Sequence, residues 1–113
     1  MPETPVPTLG EFEQIVLLAI LRLDDKAYGV TIRQEIRTCT DRDPAPGALY
    51  NTLERLEEKG MVTSRFGDPT AQRGGRPKRL YMATAEGIAA VARAQPAYRK
   101  LMRGISIPGV VHA

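Results

Sequence analysis

Apolar residues recur with the period of an α-helix through the first sixty residues of the chain. The pattern predicts three helices, over residues 9–23, 27–38 and 46–59. The first of them is apolar on nearly all sides, and a helix of this kind must be covered on all sides. A chain of 113 residues has few residues left to bury a second side of this helix. We therefore expect a second subunit against this helix; a terminal segment folded over it is the alternative.

The third predicted helix has the clearest boundaries. Pro46 suits a first turn, where a backbone amide has no partner in the helix, and Gly60 suits the position just after a last turn. The apolar stripe consists of Leu49, Leu53 and Leu56, and the opposite side carries Asn51, Arg55, Glu58 and Lys59. A polar outer side is also typical of an ordinary surface helix, so this segment alone indicates no function.

The second predicted helix carries two small residues with different implications. Cys39 shares a helical face with Ile32 and Ile36, which predicts that it is a small core residue. Gly29 in the first turn costs helix stability. It therefore indicates either close packing of a neighbouring element or close approach to a phosphate. Because Cys39 is the lone cysteine, a reducing, cytoplasmic setting fits the chain.

After Gly60 the pattern changes to a period of two residues. It predicts strands over 61–66 and 78–83, joined by a loop that contains glycines and prolines. Val62 is expected to face inward on the first strand, with Thr63 and Arg65 outward. On the second strand, Leu80 and Met82 or their neighbours are expected to face the core. Because a two-stranded hairpin is marginal alone, this one should pack against the helices.

The last part of the chain predicts a fourth helix. Thr84 is expected to cap it, and the carboxylate of Glu86 lies one position short of the ideal capping box. Pro96 predicts a kink or a break near Gln95. We divide the chain into a flexible arm, a helix–hairpin domain, a C-terminal helix and a tail, over residues 1–8, 9–83, 84–104 and 105–113.

Positive charge is concentrated in the hairpin. The net charge of the chain is +3, but residues 65–79 sum to +4 and the remaining residues to −1. Local basic charge is typical of a nucleic-acid-binding surface. A solvated loop that happens to be basic is the alternative.

Several classes of protein are excluded by what the sequence lacks. No apolar run approaches the roughly 18 residues of a transmembrane helix, so we expect no membrane partner. The N-terminal residues have no basic region followed by an apolar one, as a secretory signal would. The sequence contains no plausible catalytic triad, metal-ligand cluster or phosphate-binding loop, and its lone His112 lies beside the C-terminus. We therefore expect no enzyme activity, no metal and no cofactor.

Three helices followed by a strand, a basic loop and a returning strand are typical of a winged helix-turn-helix. The predicted fold is α+β and mostly α, with a C-terminal dimerisation helix. The third helix has a suitable width for a major groove of DNA, and its outer side chains would reach base edges. Cations of the hairpin would meet phosphates or the minor groove. A winged-helix module that binds protein or RNA is the alternative.

The same segments resemble the PadR family of bacterial transcriptional regulators over residues 9–95. The matching motifs are LGEFEQ with VLLA, then AYG, then PGALYNTLERLEEKG, then RGGRPKRLY with TAEG. The resemblance implies a homodimer that binds double-stranded operator DNA, most often as a repressor. It also implies that the C-terminal helix and the first helix form the dimer interface. With room for one helix after the hairpin, the chain is similar to the short class of the family.

The resemblance also assigns residues. DNA contacts are expected from Gly47, Tyr50, Asn51 and Arg55 of the third helix, and from Arg73, Arg76, Lys78 and Arg79 of the hairpin. The dimer interface is expected at Leu17, Leu18, Leu21, Val91, Tyr98, Leu101 and Met102. Three alternatives stay open. Tyr50 fits the core equally well, Arg55 fits a pair with Glu54 or Glu58, and only one of Lys78 and Arg79 should face DNA. Tyr81 is expected in the core.

A small-molecule effector is a further expectation from the resemblance. The favoured place is a dimer seam lined by leucines of the first helix. A drug-responsive member of the short class stacks flat aromatic drugs against a Trp from each C-terminal helix. This chain has no Trp, so multidrug binding is not expected here.

Overall fold

The computed structural model describes residues 8–67 and 77–106. The predicted arm, the tip of the hairpin and most of the predicted tail lie outside these ranges. Four helices and one antiparallel hairpin follow one another in the expected order, which confirms the predicted fold. The elements are α1 (Glu11–Leu23), a short 3₁₀ turn (Asp24–Lys26), α2 (Gly29–Cys39), α3 (Pro46–Glu58), β1 (Val62–Phe66), β2 (Arg79–Ala83) and α4 (Ala85–Met102).

The core lies between α1, α2 and α3, where aliphatic side chains from each helix meet. Its most buried members are Val16, Leu17, Ile20, Ile32, Ile36, Leu49, Leu53 and Leu56. Burying one such side chain contributes about 1.5–3 kcal/mol relative to leaving it exposed. The apolar stripe predicted for the third helix is therefore the side that fixes α3 on the other two helices. Its polar side is left outward.

The hairpin packs on this core through one residue of each strand. Val62 of β1 and Tyr81 of β2 are buried, whereas Thr63, Arg65 and Met82 are exposed. The Tyr81 amide also donates to the Ala27 carbonyl at 2.8 Å, which ties β2 to the chain just before α2. The inward orientation of Val62 and the core position of Tyr81 are confirmed. On β2 it is the neighbour, Tyr81, that faces inward.

The start of α4 is fastened to the junction between α3 and β1. The Thr84 hydroxyl accepts from the Gly87 amide at 3.1 Å, which confirms the predicted cap, and donates to the Gly60 carbonyl at 2.6 Å. A Cβ on Gly87 would lie 2.2 Å from the Met61 carbonyl oxygen. Glycine therefore permits α4 to approach the junction this closely.

The helix then continues without interruption through Pro96 to Met102. Of the two alternatives predicted near Gln95, the break is therefore wrong, and the kink stays a prediction. A proline in a helix interior removes one backbone hydrogen bond and crowds the preceding turn. The alanine-rich turns on both sides have high helix propensity and offset that cost.

Three predicted positions are corrected by burial. Cys39 is exposed rather than buried, because it is the last residue of α2 and its Sγ turns to Glu35 Oε2 at 3.4 Å. Leu17 and Val91 are buried within a single chain, with 0% and 7% of their surface exposed. Leu17 packs beside Gly87, where the missing side chain lets α4 cover it. Both residues belong to the core and not to a subunit interface.

Candidate nucleic-acid interface

The outer side of α3 presents one stripe of residues away from the core. Leu49, Thr52, Leu53 and Leu56 are buried, and at 3.6 residues per turn the positions opposite them are 47, 51, 54 and 58. These positions hold Gly47, Asn51, Glu54 and Glu58, all exposed. A Cβ built on Gly47 meets nothing within 4 Å, so the surface there is open.

The two halves of α3 differ in charge. All three glutamates of the helix, Glu54, Glu57 and Glu58, lie in its C-terminal half. The N-terminal half has no carboxylate and carries the positive end of the helix dipole. A polyanion is therefore attracted to the N-terminal half and repelled by the other end. This polarity matches helix-turn-helix proteins, in which N-terminal residues of the recognition helix reach the bases.

Tyr50 lies on the flank of α3 that faces α2. Its side chain is 51% exposed, so the core alternative is wrong. Its hydroxyl and ring edge occupy the space beside Gly29 where any other residue would carry a side chain. Of the two alternatives for Gly29, close packing of a neighbouring element is therefore confirmed.

Arg55 lies on the opposite flank, towards α1. Its Nε is 3.9 Å from Glu13 Oε2, and its Nη2 donates to Thr52 Oγ1 at 3.2 Å. The pairing with Glu54 or Glu58 is therefore wrong, since the carboxylate that Arg55 meets belongs to another helix. With 56% of its side chain exposed, Arg55 remains accessible beside the outer stripe.

Glu13 is a buried carboxylate that joins α1 to the end of α3. Its Oε1 accepts from Lys59 Nζ and from the Gly10 amide, both at 2.8 Å. Burial by itself raises the pKa of Glu13. The hydrogen bonds from Lys59 and Gly10 and the charges of Lys59 and Arg55 outweigh burial, so the pKa lies below its ordinary value. Glu13 therefore stays ionised and fixes the end of α3 on α1.

Two of the hairpin cations within the described residues, Lys78 and Arg79, have different partners. Arg79 donates to Ser64 Oγ and to Glu57 Oε1, both at 3.0 Å. Lys78 Nζ lies 4.3 Å from the centre of the Tyr28 ring and donates to its hydroxyl at 3.2 Å. Arg79 therefore connects the hairpin to α3, and Lys78 connects it to the start of α2. Arg73 and Arg76 lie outside the described residues.

A second pair of cations was not singled out by the sequence. Arg33 and Arg37 are one turn apart on α2, and Asp43 Oδ1 lies 3.0 Å from Arg33 Nη2 and 3.5 Å from Arg37 Nε. Both arginines line a groove of about 150 Å³ between α2 and the start of α3. A sum of charge along the chain does not reveal these two arginines, because nearby acidic residues cancel their positive charge. The spacing of four residues on one helix was the available signal.

Several apolar side chains of α1 and α4 are exposed. Leu18 and Leu21 of α1 are 39% and 40% exposed, and Tyr98 and Leu101 of α4 are 55% and 76% exposed. Met102 is half-buried. A groove of about 490 Å³ runs between the beginning of α1 and α4. Its lining includes Leu9, Gln14, Tyr98 and Leu101, whereas the leucines of the central part of α1 do not contribute to it.

Residues 8–67 and 77–106 contain no group of three or more His, Cys, Asp or Glu side chains arranged to hold a metal ion. None of the helices in the same ranges combines the length and apolar character needed to cross a bilayer.

Comparison with known proteins agrees with this architecture. The chain is 36% identical over 84 residues to the transcriptional regulator Rv3488 of Mycobacterium tuberculosis, which covers 73% of this chain and 72% of that protein. It superimposes on a PadR family transcription regulator of Clostridium difficile with a TM-score of 0.66 and 28% identity, over 80% of this chain and 94% of the other. A transcriptional regulator of Clostridium thermocellum gives a TM-score of 0.67 and 26% identity, over 80% and 82%.

The family model of PadR-like transcriptional regulators matches residues 17–93. This range includes most of α1, the whole of α2, α3 and the hairpin, and half of α4. The outer side of α3, the hairpin and the core residues from Leu17 to Val91 therefore fall inside the match. The chain belongs to the PadR-like family of transcriptional regulators, and it is not an enzyme.

Proposed function

We propose that the chain is a homodimeric repressor that binds operator DNA in a sequence-specific manner and is released by an effector. The observation that supports this most is the outer side of α3. Its N-terminal half is exposed and free of carboxylates, and the cations of the hairpin and of α2 lie on elements beside it. We propose residues 9–83 as the DNA-binding domain and residues 84–104 as the dimerisation helix.

We assign the reading of sequence to Gly47, Tyr50 and Asn51. Asn51 lies on the exposed stripe, and its amide suits the paired donor and acceptor that adenine shows in the major groove. Gly47 lets the backbone of the first turn approach the duplex closely. These three residues occupy the half of α3 that attracts a polyanion.

We assign phosphate contacts to cations that surround α3. Lys78 lies at the base of the hairpin, and Arg55 lies on the flank towards α1. The sequence assignment of Arg73 and Arg76 to the wing stays a prediction. Arg79 is held by Glu57 and Ser64, so its proposed role is to orient the wing. Of the pair Lys78 and Arg79, we therefore assign the DNA contact to Lys78.

We propose that the exposed apolar surface pairs two copies of the chain. It consists of Leu18, Leu21, Tyr98, Leu101 and Met102. A two-fold dimer of this kind would place two copies of α3 about 34–36 Å apart, one turn of the duplex, and bind a palindrome. An effector in the groove between α1 and α4 would change this spacing and lower the affinity for DNA. The cytoplasm is the proposed compartment.

The experiment that tests this function measures binding of the purified protein to its own promoter by fluorescence anisotropy against salt concentration. A scrambled duplex of equal length is the matched control. We expect tight binding to the promoter and weaker, steeply salt-dependent binding to the scramble. Equal, weak binding to both duplexes would mean that the protein has a basic surface without sequence specificity, and would contradict the proposal. Absence of binding at low salt would favour a module that binds protein or RNA.

Two variants separate the assigned roles. Lys78→Ala should weaken binding to both duplexes and reduce the slope of log K against log salt by about two, because each subunit of the proposed dimer loses one phosphate contact. Asn51→Ala should instead change which promoter base pairs are preferred, with the salt slope retained. Identical behaviour of the two variants would contradict the assignment.

A further inference from the structure

Gly29 of α2 and Tyr50 of α3 meet where these two helices pack against each other. A Cβ built on Gly29 would lie 2.2 Å from Tyr50 Oη, 2.8 Å from Cζ and 3.2 Å from Cε1. These are the three nearest atoms, and all belong to Tyr50. A side chain at position 29 therefore has to displace Tyr50. We call this contact the Gly29 seat.

The backbone gives no reason for glycine at position 29. Among the described residues, the glycines with positive φ are Gly60 and Gly104, whereas Gly29 is the first residue of α2 and has ordinary helical geometry. Glycine is also a poorer helix former than alanine. The steric contact with Tyr50 is therefore the feature of the structure that a side chain at position 29 would disturb.

Tyr50 has little else to hold it. Half of its side chain is exposed, and it projects from the carboxylate-free half of α3. An exposed tyrosine would otherwise sample several rotamers, and fixing it at the moment of binding would cost affinity. The Gly29 seat limits the rotamers that are open to Tyr50 before DNA binds.

The seat is itself fixed by the hairpin. The ring of Tyr28, the residue before Gly29, carries Lys78 against its face and hydroxyl. The start of α2, the outer side of α3 and the base of the hairpin therefore meet around Gly29. Movement of the seat would shift Tyr50 relative to the cation that we assign to phosphate.

We propose that Gly29 is a positioning residue for DNA recognition. Because Gly29 has no side chain, Tyr50 can occupy the space beside it, in the orientation that contacts the operator. This inference rests on the proposed function, in which Tyr50 is a DNA contact. It predicts that adding one methyl group on α2 changes DNA binding through α3.

The test is a double-substitution cycle with Gly29→Ala, Tyr50→Ala and the variant that carries both. Operator binding by Gly29→Ala should fall at least about fivefold, as for loss of one good base contact. In the Tyr50→Ala background the same change at position 29 should have no further effect. Gln95→Ala is the control, because Gln95 is an exposed residue of α4 with no assigned role in DNA binding or in the proposed dimer. It should bind like the wild type.

Thermal midpoints of the same proteins test the seat without DNA. Alanine is the better helix former, so Gly29→Ala should raise the midpoint in the Tyr50→Ala background. With Tyr50 present the gain should be smaller or reversed. If Gly29→Ala alone fails to fold, the double variant should restore folding.

Additive effects in both measurements would overturn the inference, as would unchanged operator binding by Gly29→Ala. Failure of the double variant to restore folding would also overturn it, since the clash would then lie elsewhere. A wild-type protein that does not distinguish operator from scramble would refute the proposed function instead. In that case the thermal cycle still decides whether the seat exists.

Discussion

The side chain of Glu13 joins the start of α1 to the end of α3. It accepts from the amide that precedes α1 and from Lys59 at the end of α3, and it faces Arg55. Its Oε2 is buried and has no hydrogen-bond partner within the described residues. The orientation of α3 thus depends on an ionised carboxylate from a different helix.

The lowered pKa of Glu13 makes its contribution depend on pH. A carboxyl group with a lowered pKa stabilises the fold above its ordinary pKa of 4.5, and this stabilisation is lost as the pH falls through the lowered value. Glu13→Gln should therefore reduce the free energy of unfolding by about 1–3 kcal/mol at pH 7. The reduction should shrink in strongly acidic solution. Urea unfolding at pH 7 and below pH 4.5 measures both.

Glu58→Gln is the control for this change, because Glu58 is an exposed glutamate on α3. It should alter the free energy of unfolding by no more than about 0.5 kcal/mol. A loss at Glu13 that is equal at both pH values would contradict the role of its charge.

Individual residues were the hardest features to predict from sequence. The sequence offers Arg55 acidic partners on its own helix, but its carboxylate partner lies 42 positions earlier in the chain. Helical period predicts that Cys39 is buried, but it does not show where neighbouring elements stop covering the helix. Both outcomes depend on contacts between segments far apart in sequence, which periodicity does not contain.

At the scale of elements, local chemistry determined the boundaries well. Pro46 begins α3, Gly60 follows its end with a positive φ, and Thr84 caps α4. These signals act within one turn of helix, so the sequence displays them directly. Pro96 is the exception, because the helix propensity of the surrounding turns decides whether a proline ends a helix.

The unbroken α4 leads to a prediction about Pro96. Replacing it with alanine restores a backbone hydrogen bond and removes a steric conflict in the preceding turn. Pro96→Ala should therefore raise the free energy of unfolding, by up to about 3 kcal/mol. Urea denaturation measures the change, with exposed Gln95→Ala as the neighbouring control. A lower stability of Pro96→Ala would mean that α4 requires the proline, for example to fit a partner subunit.

At the scale of the whole molecule, burial separates leucines that sequence treated alike. Leu17 is fully buried in one chain, whereas Leu101 is 76% exposed. The resemblance to the PadR family predicts both in a dimer interface, because matching motifs do not show which apolar side chains are covered within a single chain. Which side α4 covers depends on Gly87, whose small size lets the helix approach.

This difference gives a matched pair of variants. Leu101→Glu should leave the single chain folded and raise the dissociation constant of the proposed dimer at least about 100-fold, since each subunit loses about 1.5–3 kcal/mol of burial. Leu17→Ala should instead lower the free energy of unfolding by about 2–5 kcal/mol. Sedimentation velocity and urea unfolding distinguish the two effects. A Leu101→Glu protein that remains dimeric would exclude the end of α4 from the interface.

The sequence by itself determined the order of elements, their boundaries, the apolar stripe of α3 and the basic hairpin, because these follow from local periodicity, capping and charge. The tertiary structure decided which apolar residues remain exposed, which carboxylate holds Arg55 and which of Lys78 and Arg79 is tied to α3. It also showed that Gly29 makes room for Tyr50. Each of these facts concerns two segments that meet only after folding, and their meeting is set by packing of the whole core.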